Sequence, residues 1–392
     1  MKNKYLRYCK KCTIPDTRPD TPFDDNGICS GCNYFDYRSK VDWNLRKKKL
    51  FDLFDKYRKS NYYDCIVASS GGKDSTFQAL KMKEFGMNPL VITITTDMLT
   101  SIGRKNIENI KNLGLDYIEY TPNQAVRKKI NKIALKTVGD IIWTEHLSVV
   151  SSVTRLAVKM DIPLIVWGEN PQNENGGPSD HSDVDERIEP KKLNKAWHHE
   201  FGGTTGLRAS DLIGVEGITE IDVMPYEFPS DEETDKAGTV GLFLGYYLPW
   251  DGHENAIFAK RNGLTTYHKW VEGNIVDYEN LDNSMMRIHD YFKFLKFGYD
   301  RASDWSSLAI RRERMTRKEG IKLTREIGGK FPTEYLGKKL EEILSYIDMS
   351  LDEFNKTCDK FTNKSIFQLY DDGNLMKDNQ GNLIKNNYDN IF

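Results

Sequence analysis

One stretch limits what this chain can become. The apolar run Cys65-Ile66-Val67-Ala68 is followed by Ser69-Ser70-Gly71-Gly72-Lys73-Asp74-Ser75, and then by a segment of helical periodicity, Thr76 to Phe85, closed by Gly86. A β-branched run bounded by small residues predicts a buried strand, and the segment after it predicts a helix. The seven residues between them are therefore a strand-to-helix turn. Such a turn offers unpaired backbone N–H groups and the positive end of the helix dipole to an anion, while Gly71 and Gly72 remove the Cβ atoms that would block phosphate oxygens. Residues 69–75 thus read as a phosphate cradle. They are not a Walker A loop, in which Ser or Thr follows the Gly-Lys pair; here Asp74 follows Lys73. A carboxylate beside phosphate is tolerable when a divalent cation lies between them, which assigns Asp74 to magnesium. A glycine-rich turn with solvated charges is the plain alternative.

The pattern around this turn extends it into an α/β domain. Strand candidates Cys65–Ala68, Leu90–Thr95, Tyr117–Tyr120 and Leu164–Trp167 alternate with helical stretches Thr76–Phe85, Arg104–Leu113, Asn123–Val138 and Ser148–Lys159. That alternation predicts right-handed crossovers and a parallel sheet covered on both faces, with ligands at the carboxyl ends of the strands. Three segments fall there: residues 70–75, Thr96-Asp97, and Gly168-Glu169-Asn170. Their shared position favours nucleotide or metal roles for Asp97 and Glu169 over chance surface carboxylates.

Near the N-terminus stand Cys9-Lys10-Lys11-Cys12 and Cys29-Ser30-Gly31-Cys32, sixteen residues apart, with Pro15, Pro19, Pro22 and Asn26-Gly27 between them. The spacing and the turn-rich insert suit a closed four-thiolate zinc site that folds a module too short for its own core. An iron–sulfur cluster uses the same ligands and is the main competitor. Residues 41–59 place Leu45, Leu50, Leu53, Phe54 and Tyr57 at helical spacing, as in a connector packed on the next domain.

At 392 residues, with 29% charged residues and a net charge of −2, the chain is long enough for two or three domains and lacks the basic excess of a dedicated nucleic-acid binder. Arg46-Lys47-Lys48-Lys49 reads as a solvated helix face. No stretch approaches the 18 or so apolar residues of a membrane span, and Met1–Pro15 has no signal-peptide core. The expectation is a cytoplasmic protein with its six cysteines as thiols or metal ligands.

Residues 170–217 are irregular and include Trp197-His198-His199, which suggests a substrate lid. Adjacent histidines point to different sides of an element, so this pair is not read as a zinc site. Helices are expected at Phe243–Tyr247, Ala256–Lys260, Met285–Phe297 and Trp305–Met315. Arg301, Asp304 and Arg311 surround the Gly298 turn; either the arginines bind an anionic substrate, or Asp304 caps a helix whose arginines are solvated. The polar tail from Asp371 predicts a peripheral hairpin or a frayed end.

Taken together, Ser70-Gly71-Gly72-Lys73-Asp74-Ser75 at a strand end resembles the SGGxDS signature of the PP-loop, or N-type ATP pyrophosphatase, superfamily. Within it the chain is similar to the N-acetyl sugar amidotransferases that make acetamidino sugars for surface polysaccharides and nonulosonic acids such as pseudaminic acid. The resemblance is carried by Tyr8-Cys9-x-x-Cys12-x-x-Pro15-x-Thr17-Arg18-Pro19, Cys29-x-x-Cys32, Tyr63-Asp64-Cys65-Ile66, Phe297-Gly298-Tyr299-x-Arg301-Ala302-x-Asp304 and Met315-Thr316-Arg317. It implies a zinc-knuckle module (1–40), a PP-loop ATP pyrophosphatase domain (41–230) and a mainly helical substrate or partner region (231–392). It also implies adenosine near Asp97, and magnesium or substrate near Glu169 and Asn170.

The implied chemistry suits the residues. An acetamido oxygen is a poor leaving group until it carries AMP, and the charge that accumulates on the phosphates calls for the backbone of Gly71 and Gly72, the Ser70 and Ser75 hydroxyls, Lys73, and magnesium at Asp74. The chain shows no glutaminase signature. Lys2 follows the initiator Met, and neither Cys65 nor Cys358 sits in a glycine-flanked elbow. A separate glutaminase partner supplying ammonia is therefore expected. The rival is a PP-loop tRNA thiolase, whose chemistry resembles a process needing catalytic cysteines or an iron–sulfur cluster after the loop, where this chain has only Cys358. A non-catalytic nucleotide sensor is a third reading, disfavoured by the intact loop.

Overall fold

In the computed structural model, residues 6–169 and 206–386 are described. Two short cysteine-bearing turns lead into α1 (Ser30–Arg38) and α2 (Trp43–Tyr57). Next come β1 (Cys65–Ala68), α3 (Lys73–Glu84), β2 (Pro89–Ile94), α4 (Ser101–Asn112), β3 (Asp116–Tyr120), α5 (Gln124–Val138), α6 (Trp143–Lys159) and β4 (Leu164–Trp167). Past the undescribed segment stand α7 (Asp231–Ala237), β5 (Val240–Phe243) and α8 (Gly252–Arg261). The chain ends with α9 (Met286–Phe297), α10 (Arg301–Arg311), α11 (Arg317–Ile327), α12 (Leu340–Tyr346) and α13 (Leu351–Phe361).

The sheet is parallel throughout, in the order β3-β2-β1-β4-β5, with Cys65 level with Pro89 on one side and Leu164 on the other. Period-two alternation explains why both faces are covered. Cys65, Val67, Val91, Leu164 and Val166 meet Leu50 and Phe54 of α2 and Ala79 and Met82 of α3. Ile66, Leu90, Ile92, Ile94 and Ile165 meet Val153 and Ala157 of α6. The strand order reverses between β1 and β4, and the crevice at that switch point opens outside the carboxyl end of β1. The predicted parallel α/β architecture, with a four-cysteine N-terminal module and a helical C-terminal region, is the observed one.

Two expectations change. β5 lies past residue 230, where a helical region was expected from 231. Its short Val-Gly-Leu-Phe run is continued by the turn of helix Leu244–Tyr247, and the two together read as one apolar segment. The helix after Gly298 starts at Arg301, and its cap is Asp300, which accepts from the Ser303 N–H; Asp304 lies inside the helix. α9, α12 and α13 share one core with Leu135, Ile141 and Ile142 at the α5–α6 junction. Of the segment read as a lid, 170–205 lies outside the described residues, His198 and His199 included. From Ala209 onward it forms short 3-10 turns anchored by buried Ala209, Leu212 and Ile218. The tail closes two tight turns through the bridges Leu369–Leu375 and Lys377–Leu383.

Candidate active site

The loop after β1 is held by its own side chains. Ser69 donates its N–H to the Ile92 carbonyl and accepts the Gly71 N–H at Oγ (3.1 Å). Gly71 has φ +84°, and a Cβ there would stand 2.9 Å from the Ile107 nitrogen, so only glycine fits between the loop and α4. Gly72 is the N-cap of α3, and Ser75 and Thr76 return their hydroxyls to its carbonyl. The first turn of α3 therefore begins at a residue without a side chain and leaves its leading N–H groups without intrahelical partners.

A pocket opens on this turn. Ser70–Ser75, Gly103 and Asn106 form one wall, and Leu264 with Tyr278–Asp282 forms the other. Asn106 joins the walls by a reciprocal pair of hydrogen bonds with the Thr265 backbone (2.8 and 2.9 Å). Lys73 is buried with Nζ 2.5 Å from Asp74 and 2.6 Å from Glu279. Burial alone would lower its pKa, but the two carboxylates hold the ammonium well above its ordinary value. Asp74 also accepts from Asn255 (2.8 Å), and Trp305 lies under Lys73 with its ring centroid 5.3 Å from Nζ. Asp74, Glu279 and Asp282 thus put three carboxylates on or beside a pocket that also presents helix N–H groups. Lys73 pairs with two of them, Asp74 and Glu279.

The structure brings Ser70, Gly71, Gly72, Lys73, Asp74 and Ser75 together as expected, with Ser69 one layer behind them. It does not bring the other strand-end residues to the pocket. Asp97 is fully buried, accepts from Asn131 (2.9 Å), Thr144 (3.4 Å) and Tyr346 (3.1 Å), and pairs with Arg127 at 3.0 Å. Its carboxylate joins the β2 end to α5, α6 and α12 and leaves no face for adenosine. A Cβ on Gly168 would stand 1.9 Å from Gln78 Nε2 and 3.0 Å from Trp250, so the strand end runs close against these two side chains. Glu169 is exposed just past β4, and Asn170 lies outside the described residues.

The arginine-rich turn divides between two places. Arg301 pairs with Asp290 (3.2 Å), and with the Asn280 amide oxygen turned toward it, Nε and an Nη stand 3.0 and 3.1 Å away, which backs the pocket wall. Asp304 pairs with Lys293 (2.6 Å) and Arg18 (3.4 Å). Arg311 does not line this pocket. Its guanidinium approaches the sulfurs of Cys32 (3.4 Å), Cys29 (3.6 Å) and Cys12 (3.9 Å), while Arg317 donates to the carbonyls of Cys9 and Cys12.

Cys9, Cys12, Cys29 and Cys32 are buried and free, with Sγ–Sγ distances of 3.8 Å for Cys9–Cys32 and 3.6 Å for Cys12–Cys29. Thiolates around one zinc at about 2.3 Å stand about 3.8 Å apart, so the cluster has the size of a single-ion site. Burial pushes the Cys12 thiol up, yet its neighbouring thiols and Arg311 hold it well below the ordinary value. The module docks on α10, where Thr13 Oγ1 lies 2.9 Å from Ser307 Oγ.

Sequence reasoning missed Glu279, Asn255 and Asp282. Each lies far along the chain from the loop in a segment without a local motif, and only Lys73, a buried cation in need of an anion, hints that a carboxylate must arrive.

Residues 264–379 match the family model described as LPS biosynthesis protein WbpG-like, C-terminal domain. A search of curated proteins found no match. Among solved structures, a predicted subunit of tRNA methyltransferase from Methanocaldococcus jannaschii is similar at 19% identity and TM-score 0.23, covering 34% of this chain and 65% of that one. An NH3-dependent NAD synthetase from Campylobacter jejuni is similar at 14% identity and TM-score 0.28, covering 48% of this chain and 99% of that one. The far wall of the pocket, Leu264 and Tyr278–Asp282, lies inside the matched segment.

Proposed function

We propose that the protein is an ATP-dependent amidotransferase that converts the acetamido group of a surface-polysaccharide sugar, such as a nonulosonic acid, to an acetamidino group. One observation supports the reading: the segment that matches the WbpG-like model supplies Glu279, which pairs with loop residue Lys73.

In this reading ATP enters as a substrate, with its phosphates against the α3 N-terminus. The acetamido oxygen attacks the α-phosphorus, the bond to the pyrophosphate oxygen breaks, and pyrophosphate leaves. Ammonia then adds at the activated carbon and loses a proton, and AMP departs with the former acetamido oxygen. Lys73 and the helix N–H groups of residues 72–75 take up the charge that builds on the phosphates. Asp74, aided by Glu279 and Asp282, would hold magnesium, which would neutralise polyphosphate charge. Zinc at the four cysteines would be structural, since four thiolates leave no open position. Ammonia would come from a separate glutaminase.

Against the tRNA thiolase reading, no cysteine lines the pocket among the described residues, and Cys65 and Cys358 are both core residues whose thiols burial pushes up. The test is mass spectrometry of candidate N-acetyl sugars incubated with the protein, ATP, magnesium and ammonium, with AMP and pyrophosphate measured in parallel. Exchange of an acetamido oxygen for NH, with matching AMP, is the expected result. No altered sugar while a tRNA gains sulfur would overturn the proposal.

A further inference from the structure

Away from the loop, three residues with no adjacency in sequence converge. Asp140 lies in the α5–α6 link, His146 on α6 and His289 on α9. His146 Nδ1 stands 3.2 Å from one Asp140 oxygen, and His289 Nδ1 stands 3.0 Å from the other. The two imidazole rings are 5.0 Å apart at 77°. One ligand atom from each residue lies within 4.8 Å of the other two. The Ile142 N–H donates to Asp140 (3.1 Å) and fixes the carboxylate.

We propose that Asp140, His146 and His289 form a second metal site, for a divalent first-row transition ion of the zinc class, independent of the four cysteines. Ligand atoms around a four-coordinate ion at about 2.0–2.1 Å stand about 3.3 Å apart, and each imidazole Nδ1 stands at about that distance from its own Asp140 oxygen. Two imidazoles with one carboxylate select zinc, cobalt or ferrous ions over magnesium or calcium. Burial is graded in the way an entry path requires: the Asp140 side chain is 4% exposed, His289 20% and His146 45%. Three protein ligands leave a position open to water or substrate, unlike the closed cysteine site.

The site adjoins the pocket through the chain itself. Glu145 precedes His146 and accepts from Asn283, the neighbour of pocket residue Asp282. Arg301 and Lys296 are the cations nearby, and each is turned to other partners, Arg301 to Asp290 and Lys296 to the carbonyls of Val138 and Gly139. Without metal, the same three residues form a hydrogen-bonded His-Asp-His group.

The test is metal stoichiometry on the full-length protein, stripped with chelator, saturated with zinc and freed of excess ion. The wild type is expected to hold about two zinc per chain, and His146→Ala and His289→Ala about one each. In cobalt-loaded protein both variants should keep the thiolate-to-cobalt absorption, showing that the cysteine site is intact. A wild type saturating at one zinc, or histidine variants that still hold two, would overturn the proposal. Loss of the thiolate band in both variants would also overturn it, because the sites would then not be independent. Should His289→Ala fail to fold, His146→Ala decides, since that ring is half exposed.

Discussion

Replacing Asp97 separates a nucleotide contact from a structural charge. In Asp97→Ala, Arg127 keeps its charge at a side chain 1% exposed, while Asn131, Thr144 and Tyr346 each lose an acceptor. Removing one partner of a buried ion pair costs about 3–5 kcal/mol, most of it from the stranded charge. Asp97→Asn keeps the volume and one acceptor oxygen, so its loss should be smaller, about 2 kcal/mol. Adding Arg127→Met to Asp97→Asn removes the stranded charge, and the double variant should lie well short of the summed single losses. Urea unfolding measures these differences through the midpoint at constant slope, and calorimetric titration with ATP measures the nucleotide site. The structure predicts a midpoint shift for Asp97→Ala with ATP affinity unchanged in the folded fraction. A wild-type midpoint with weakened ATP binding would refute the argument and return Asp97 to the pocket.

Two further outcomes follow from the site. Asp282, raised to about 6 mainly by burial and then by like charge from Glu279, binds its proton more tightly folded than unfolded, so its contribution to stability should fall as pH rises from about 4 to 6, by at most about 3 kcal/mol; Asp282→Asn should flatten that part of the stability–pH curve, and an unchanged slope would refute the assignment. Arg311→Met should weaken zinc retention at the cysteines about 10–100-fold in a chelator competition, because it removes the guanidinium that faces three of the four sulfurs; equal retention would show that Arg311 serves packing alone.

Where chemistry was local, the sequence told it. The turn at 69–75 was readable because a strand, two glycines and a helix start are consecutive, and each has a conformational cause: the φ of Gly71, the cap at Gly72, the apolar run before them. The cysteine cluster was readable from spacing for the same reason. Strand positions came within a residue because the β1, β2 and β4 runs are apolar on both faces. β5 was missed because four residues followed at once by a helical turn carry no period of their own. Asp97 and Gly168 misled because a position at a strand end says where a residue stands and not what surrounds it. Arg311 misled because a guanidinium suits a carboxylate, a phosphate or a thiolate equally well until its neighbours are known.

By itself, then, the sequence determined a parallel α/β sheet, a glycine-rich strand-to-helix turn and a four-cysteine module, all set by residues close together in the chain. Only the tertiary structure decided that Glu279 meets Lys73, that Arg311 faces the sulfurs, and that Asp140, His146 and His289 share one point. These are contacts between segments up to about three hundred residues apart. They are decided by how helices pack on the sheet and on one another, and pairing of buried charges acts through space with no dependence on order in the chain.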